Sequence, residues 1–171
     1  MIRRFLLCFV VASLGCTPSP SPTKTGPVSD TDAVMREVLD RYMAIQEKLA
    51  ADTPEGVEDE AKALAGKISE FFMKPCKPEE AACASVMQKI SAAAGRMKGT
   101  DLTTLRNDFK DLSVAMEKYW TDFSPAWPNV FVFHCPMADN EKGAPWLQKG
   151  SEIRNPYFGK TMSSCGEKVL P

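Results

Sequence analysis

The chain has 171 residues, 44% hydrophobic and 25% charged, the proportions of one folded domain rather than of a disordered or multi-domain chain. With 21 basic and 22 acidic side chains its formal charge is -1, which lacks the basic excess of a phosphate-neutralising surface and argues against a nucleic-acid partner. A single histidine, no glycine-rich phosphate loop and no Gly-x-Ser-x-Gly elbow remove most catalytic equipment, so the expectation is a binding protein and not an enzyme.

Residues 1–15 read as an export signal: Arg3 and Arg4, the apolar run from Phe5 to Ala12, then Ser13, Leu14 and Gly15 before Cys16. The run is too short to span a bilayer as a helix. Gly15-Cys16 resembles the lipobox of bacterial lipoproteins, in which the cysteine is lipidated and becomes the mature N-terminus. Ser13 stands where that box ordinarily has leucine. The expectation is a lipid-anchored protein facing the periplasm, with plain secretion as the alternative. Residues 16–29, with Pro18, Pro20, Pro22 and Pro27 among Ser and Thr, read as an extended tether to a domain spanning 30–171.

Four amphipathic helices follow. Val34, Val38, Tyr42, Ile45 and Leu49 step at helical spacing over about residues 29–51. Thr53 and Pro54 predict the cap and first turn of a second helix, with Val57, Ala61, Leu64, Ile68, Phe71 and Phe72 as its stripe. Glu79 and Glu80 suit the start of a third, with Cys83, Val86, Met87, Ile90, Ala94 and Met97 inward and Gly99 at its end. Thr100 or Asp101 caps a fourth, whose stripe is Leu102, Leu105, Phe109, Leu112, Met116, Tyr119 and Trp120. Short connections between helices of this length predict an all-α, up-and-down four-helix bundle, with the helical methionines filling gaps in its core. From about residue 125 prolines and glycines punctuate the chain, and only Val130 to His134 reads as a short strand. This segment is expected to be a loop-rich extension carrying the function.

Beyond Cys16, four cysteines fall into two pairs. Cys76, in a Pro-flanked turn, and Cys83, early in the third helix, are spaced for a structural disulfide of roughly 2–3 kcal/mol in the chain-entropy model, with a redox or second metal pair as the alternative. Cys135 and Cys165 each bring a thioether, Met137 two residues after the first and Met162 three residues before the second. In an extended segment i and i+2 share a side, and in a helical turn i and i+3 do, so each segment offers two sulfurs to one point. Thiolate and thioether are soft donors that select Cu(I), and Ag(I) for the same reason, whereas zinc prefers Cys, His or carboxylate. Spacing alone leaves a Cys135–Cys165 disulfide equally open. His134 adjoins the thiol and is a further candidate ligand, although strand alternation turns it away from Cys135.

The ordered string His134-Cys135-Pro136-Met137-Ala138, Gly143, Trp146, Ile153-Arg154-Asn155-Pro156-Tyr157-Phe158-Gly159, Met162 and Cys165-Gly166 resembles one bacterial family. That family is a domain of unknown function found alone in exported proteins and at the C-terminal end of periplasmic adaptors of copper and silver efflux pumps. The resemblance runs from about Asp32 to Val169, most specific in the last forty residues and more generic in the helices, where Arg106, Phe109 and Ser113 fit its pattern. It implies a helical domain in which Cys135, Met137, Met162 and Cys165 are ligands for a soft metal. His134, where an aromatic is frequent, and the added Cys76 and Cys83 depart from it.

With no adaptor hairpin or lipoyl-like segment before the domain, the expectation is a stand-alone protein that buffers Cu(I) or Ag(I), or hands it to an efflux adaptor or another periplasmic copper protein. Trp146 and Tyr157 either shield the ion or anchor a loop, and Asn155-Pro156 with Gly159 shapes the turn that returns Met162 and Cys165 to Cys135. A metal-free interaction domain, with Cys135–Cys165 as a disulfide and the Trp and Tyr surface meeting a membrane-complex subunit, is the competing expectation. A redox-active pair is a third, without a Cys-x-x-Cys to support it.

Overall fold

The computed structural model describes residues 30–73, 81–123, 125 and 127–169. The segments read as an export signal and a tether, together with Cys16 and Cys76, lie outside the described residues. Four long helices, α1 (Asp30–Ala50), α2 (Val57–Phe72), α3 (Ala81–Ala94) and α4 (Leu102–Phe123), precede three strands, β1 (Val130–Cys135), β2 (Ala144–Lys149) and β3 (Glu167–Val169). The chain is mostly helical with a small antiparallel sheet at its C-terminal end, in the order β2-β1-β3. Among the described residues no helix is long and apolar enough to cross a membrane.

The helical stripes are what build the core. Val38, Tyr42, Ile45 and Leu49 of α1 are buried, as are Val57, Ala61, Leu64, Ile68 and Phe71 of α2, and Leu105, Phe109, Leu112, Met116 and Tyr119 of α4. Consecutive helices pack on one another. Met35, Met43, Met87, Met97 and Met116 fill this interior, while Met73 is exposed.

Boundaries depart from the periodic reading in two places. The residue preceding α2 is Gly56, at φ +77, not Thr53. Thr53 and Pro54 belong to the turn before it, where Pro54 O accepts from Val57 N at 3.1 Å. Helix α3 ends at Ala94, five residues before Gly99. Tight turn bonds, Arg96 N to Ala93 O and Met97 N to Ala94 O, carry the chain onward. Met97 remains buried, so its place in the stripe reported burial rather than helix. Asp101 is the cap of α4, its carboxylate accepting from the backbone and hydroxyl of Thr104 at 2.8 and 2.7 Å.

The larger correction concerns the extension, which is a three-stranded sheet and not loops around one strand. β1 pairs with β2 from Val130↔Lys149 to Cys135↔Ala144, and with β3 from Val132↔Val169 to His134↔Glu167. Pro145 hid β2, because proline removes a ladder donor. It is tolerated because β2 is an edge strand. β3 is three exposed residues, too short to show alternation.

The sheet docks through β2 onto α4 and α1. At that junction the fully buried Tyr42 hydroxyl shares a hydrogen bond with Ser113 Oγ at 2.7 Å and accepts one from Leu147 N at 3.0 Å. One oxygen thus joins α1, α4 and β2. Burial pushes its pKa far above the ordinary tyrosine value, so it serves as a neutral hydrogen-bonding group. The Tyr42 ring stacks on Phe109, centroids 5.2 Å apart. Tyr42→Phe keeps the ring but strands a backbone N–H in the interior. Urea unfolding should show a loss of roughly 1–3 kcal/mol, the cost of an unmet buried donor. A change within error would mean that the hydroxyl does not hold the sheet.

Candidate functional site

Cys135 ends β1 and is 0% exposed. The chain then turns at Pro136 and Met137 and passes through Asp139, Asn140 and Glu141 at φ +54, +55 and +64. It forms β2, and returns through the Asn155-Pro156-Tyr157-Phe158-Gly159 segment and a short 3-10 turn, Gly159–Met162, to Cys165.

Asn155 shapes the return. Its fully buried carboxamide accepts from Tyr157 N at 2.7 Å and Phe158 N at 3.2 Å, and donates to Cys165 O at 2.6 Å. Its backbone donates to Ser163 O at 2.9 Å and accepts from Gly159 N at 3.1 Å. Every polar group of the residue works on the segment that carries Cys165.

Arg106 of α4 ties this segment to the helices. Its Nε donates to Pro156 O at 2.9 Å, and its Nη2 to Leu49 O at 3.0 Å and to Asp52 Oδ1 at 2.5 Å. Asp52 Oδ2 accepts from Lys160 N at 3.1 Å. The guanidinium, then the Lys160 amide, hold the Asp52 carboxyl below its usual pKa. Gly159, at φ +55, lies so close that any side chain there would strike Asp52 Oδ1 and Arg106 Nη2. From α1, Gln46 adds a donor to Arg154 O at 2.7 Å.

Aromatic rings wall the sheet side. Trp146 is fully buried, stacked on Phe133 at 5.3 Å and edge-on to Tyr157 at 6.1 Å. A Cβ on Gly166 would come within 2.6 Å of the Trp146 ring, so only glycine fits immediately after Cys165. Tyr157 Oη donates to Pro145 O and Trp146 Nε1 to Gln148 Oε1 at 2.9 Å. Gln148 in turn donates to Glu152 O at 2.5 Å and accepts from Arg154 N at 3.1 Å. Both aromatics are therefore held as loop anchors.

These constraints place Cys135 Sγ 3.4 Å from Cys165 Sγ, within hydrogen-bonding contact. Burial pushes the Cys165 thiol above its ordinary pKa, and its hydrogen bond with Cys135 adds to the rise. Cys165 is only half-buried, whereas Cys135 has no solvent access.

Met162 closes the same turn, its carbonyl accepting from Cys165 N at 3.1 Å. Met137 is 45% exposed and lines a cleft of about 300 Å³ against α4, with Arg106, Lys110, Asp139, Tyr157 and Phe158. Neither cysteine lines that cleft. The i, i+2 rule does not extend from Cys135 to Met137 because the strand ends at Cys135. His134 is half-buried, with its ring against Gly143. Burial raises the Glu117 carboxyl, and His134 nearby offsets part of that. Cys83 is buried and donates to Met87 Sδ at 3.7 Å.

Among the described residues no three His, Cys, Asp or Glu side chains cluster as a metal-binding group. Asp52 and Gln148 had no local signal in the sequence, because their partners are remote along the chain. Gln46 carried one, a polar residue one turn after Tyr42 on the inward face of α1.

A family model described as Protein of unknown function (DUF3347) matches residues 38–126. The match runs from Val38 within α1 through α4 and stops before the tail that bears Cys135, Met137, Met162 and Cys165. No curated protein and no solved structure matches the chain.

The Arg106–Asp52 pair has a pH signature. Because the folded-state pKa of Asp52 is depressed, its contribution is complete above the unfolded carboxylate value and fades as pH falls through the folded value. Between pH 6 and pH 3 the urea midpoint of the wild type should fall further than that of Asp52→Asn. Equal acid sensitivity would dismiss the pair as a stabilising link.

Proposed function

The chain belongs to this family of proteins of unknown function, and from that premise we propose that it is an exported lipoprotein binding a soft monovalent metal, Cu(I) or Ag(I), without catalysis. In this reading an up-and-down arrangement of α1–α4 is the platform and Cys16 carries the lipid that holds the protein to a membrane in the periplasm. The ion is cargo, buffered or passed to an efflux adaptor or another periplasmic copper protein.

The observation that carries the reading is the convergence of two thiols, thirty residues apart, at 3.4 Å, one of them half-buried. Metal–sulfur bonds of about 2.3 Å allow one ion to span two such sulfurs. Soft donors favour Cu(I) and Ag(I), and a third ligand would come from Met162, in the same turn as Cys165, with Met137 and His134 as further candidates. Among the described residues zinc would lack the Cys, His and carboxylate partners with which it closes a structural site. Access from the Cys165 side leaves room for a partner's ligand, which transfer requires.

The same contact also supports a second reading, a metal-free interaction domain in which Cys135 and Cys165 form a disulfide. Titration of the reduced full chain with Cu(I) against a chromogenic chelator separates the two. The metal reading expects about one ion per chain. Binding should be lost in Cys165→Ser and weakened in Met162→Leu. Absence of binding by the reduced protein, with a native mass showing the bond between residues 135 and 165, would establish the second reading instead.

A further inference from the structure

We propose that the Cys135–Cys165 pair is a redox gate on the metal site, closed by an organic disulfide, with Cys165 the attacking sulfur and Cys135 the resolving one. The inference rests on the soft-metal reading above and adds a regulation to it. Three observations support it.

The sulfurs are already in contact at 3.4 Å, so formation of a bond of about 2.05 Å needs a local shift and no rearrangement of the fold. The two thiols differ in access, Cys135 having none and Cys165 being half-buried. A reagent from solvent therefore meets Cys165 first. Both sulfurs are also held where they meet, Cys135 by pairing with Ala144 in the sheet and Cys165 by the bonds of its backbone to Asn155 Nδ2 and Met162 O, so the contact is a standing one.

The exchange balances without a further reactant. Cys165 thiolate attacks one sulfur of the small disulfide, whose bond breaks as the other half leaves with the electron pair as a thiolate. The resulting mixed disulfide lies beside Cys135. Cys135 thiolate attacks Cys165 Sγ and expels the second half. The two cysteines are oxidised by two electrons, the reagent becomes two thiols, and the two cysteine protons go to the two leaving groups. Thiolates are the metal ligands, so the bonded pair offers none. Conversely, an ion already held between the sulfurs keeps both from attack.

The test uses the full chain equilibrated with reduced and oxidised glutathione in varied ratio, quenched by alkylation and mapped by peptide mass, with Cu(I) uptake measured on each sample. The expected result is a single 135–165 bond, loss of Cu(I) uptake in proportion to it, and protection from oxidation in protein preloaded with Cu(I). In the reduced protein Cys165 should alkylate about tenfold or more faster than Cys135, as exposure dictates. Cys135→Ser should accumulate a glutathione adduct on Cys165. Should that variant fail to fold, wild type quenched at short times should carry its adduct on Cys165 and not on Cys135. No 135–165 bond at any ratio, equal alkylation of the two thiols, or Cu(I) uptake undiminished in the bonded protein would each overturn the gate. Reduced protein that takes up no Cu(I) would overturn the metal reading itself, an outcome told apart because the bond and alkylation order are read without metal.

Discussion

A single buried carboxamide determines where the second sulfur lies. Asn155 has no solvent access and spends its oxygen on the amides of Tyr157 and Phe158 and its nitrogen on the carbonyl of Cys165. Burying an amide without partners is costly, and a fully partnered one is specific. The loop has few other conformations in which all of these groups are met, so the turn bearing Met162 and Cys165 comes back to the end of β1. Contact between residues 135 and 165 is a consequence of this backbone bonding more than of any attraction between sulfurs.

The same segment is held from below. Arg106 reaches from α4 to the carbonyls of Leu49 and Pro156 and to the Asp52 carboxylate, which itself receives the amide of Lys160. With Tyr42 joining α1, α4 and β2, the helices grip the tail at two points. This gives the helical part a physical purpose. It is a rigid support that locates a short sheet and one loop, and the thiol pair lies in the part that the family match leaves uncovered.

How much of this could be read in advance depends on whether the signal was local. The four apolar stripes were legible because burial recurs every three to four residues, as in Val57, Ala61, Leu64, Ile68 and Phe71. The pairing of Cys135 with Cys165 could be posed from the order of the tail's motif, and the structure does bring them together. β2 was hidden by Pro145, since an edge position, which makes proline harmless, is a property of the sheet and not of the segment. The direction of Met137 was hidden too, because it depends on where β1 stops. Asp52 and Gln148 have partners set by long-range packing, which no window of sequence contains.

The left-handed run after Met137 has a consequence for evolution of the tail. Asp139, Asn140 and Glu141 all occupy positive φ, a region that costs a residue with a side chain roughly 1–2 kcal/mol. Glycine would ease each position, yet it would also widen the range of conformations open to the unfolded segment. Retaining side chains here exchanges ease of folding for a corner with few alternatives. Asp139 gains a further tie to Lys110 at 2.9 Å. The corner is thus a place where sequence drift should alter the stiffness of the cleft rim before it alters the architecture.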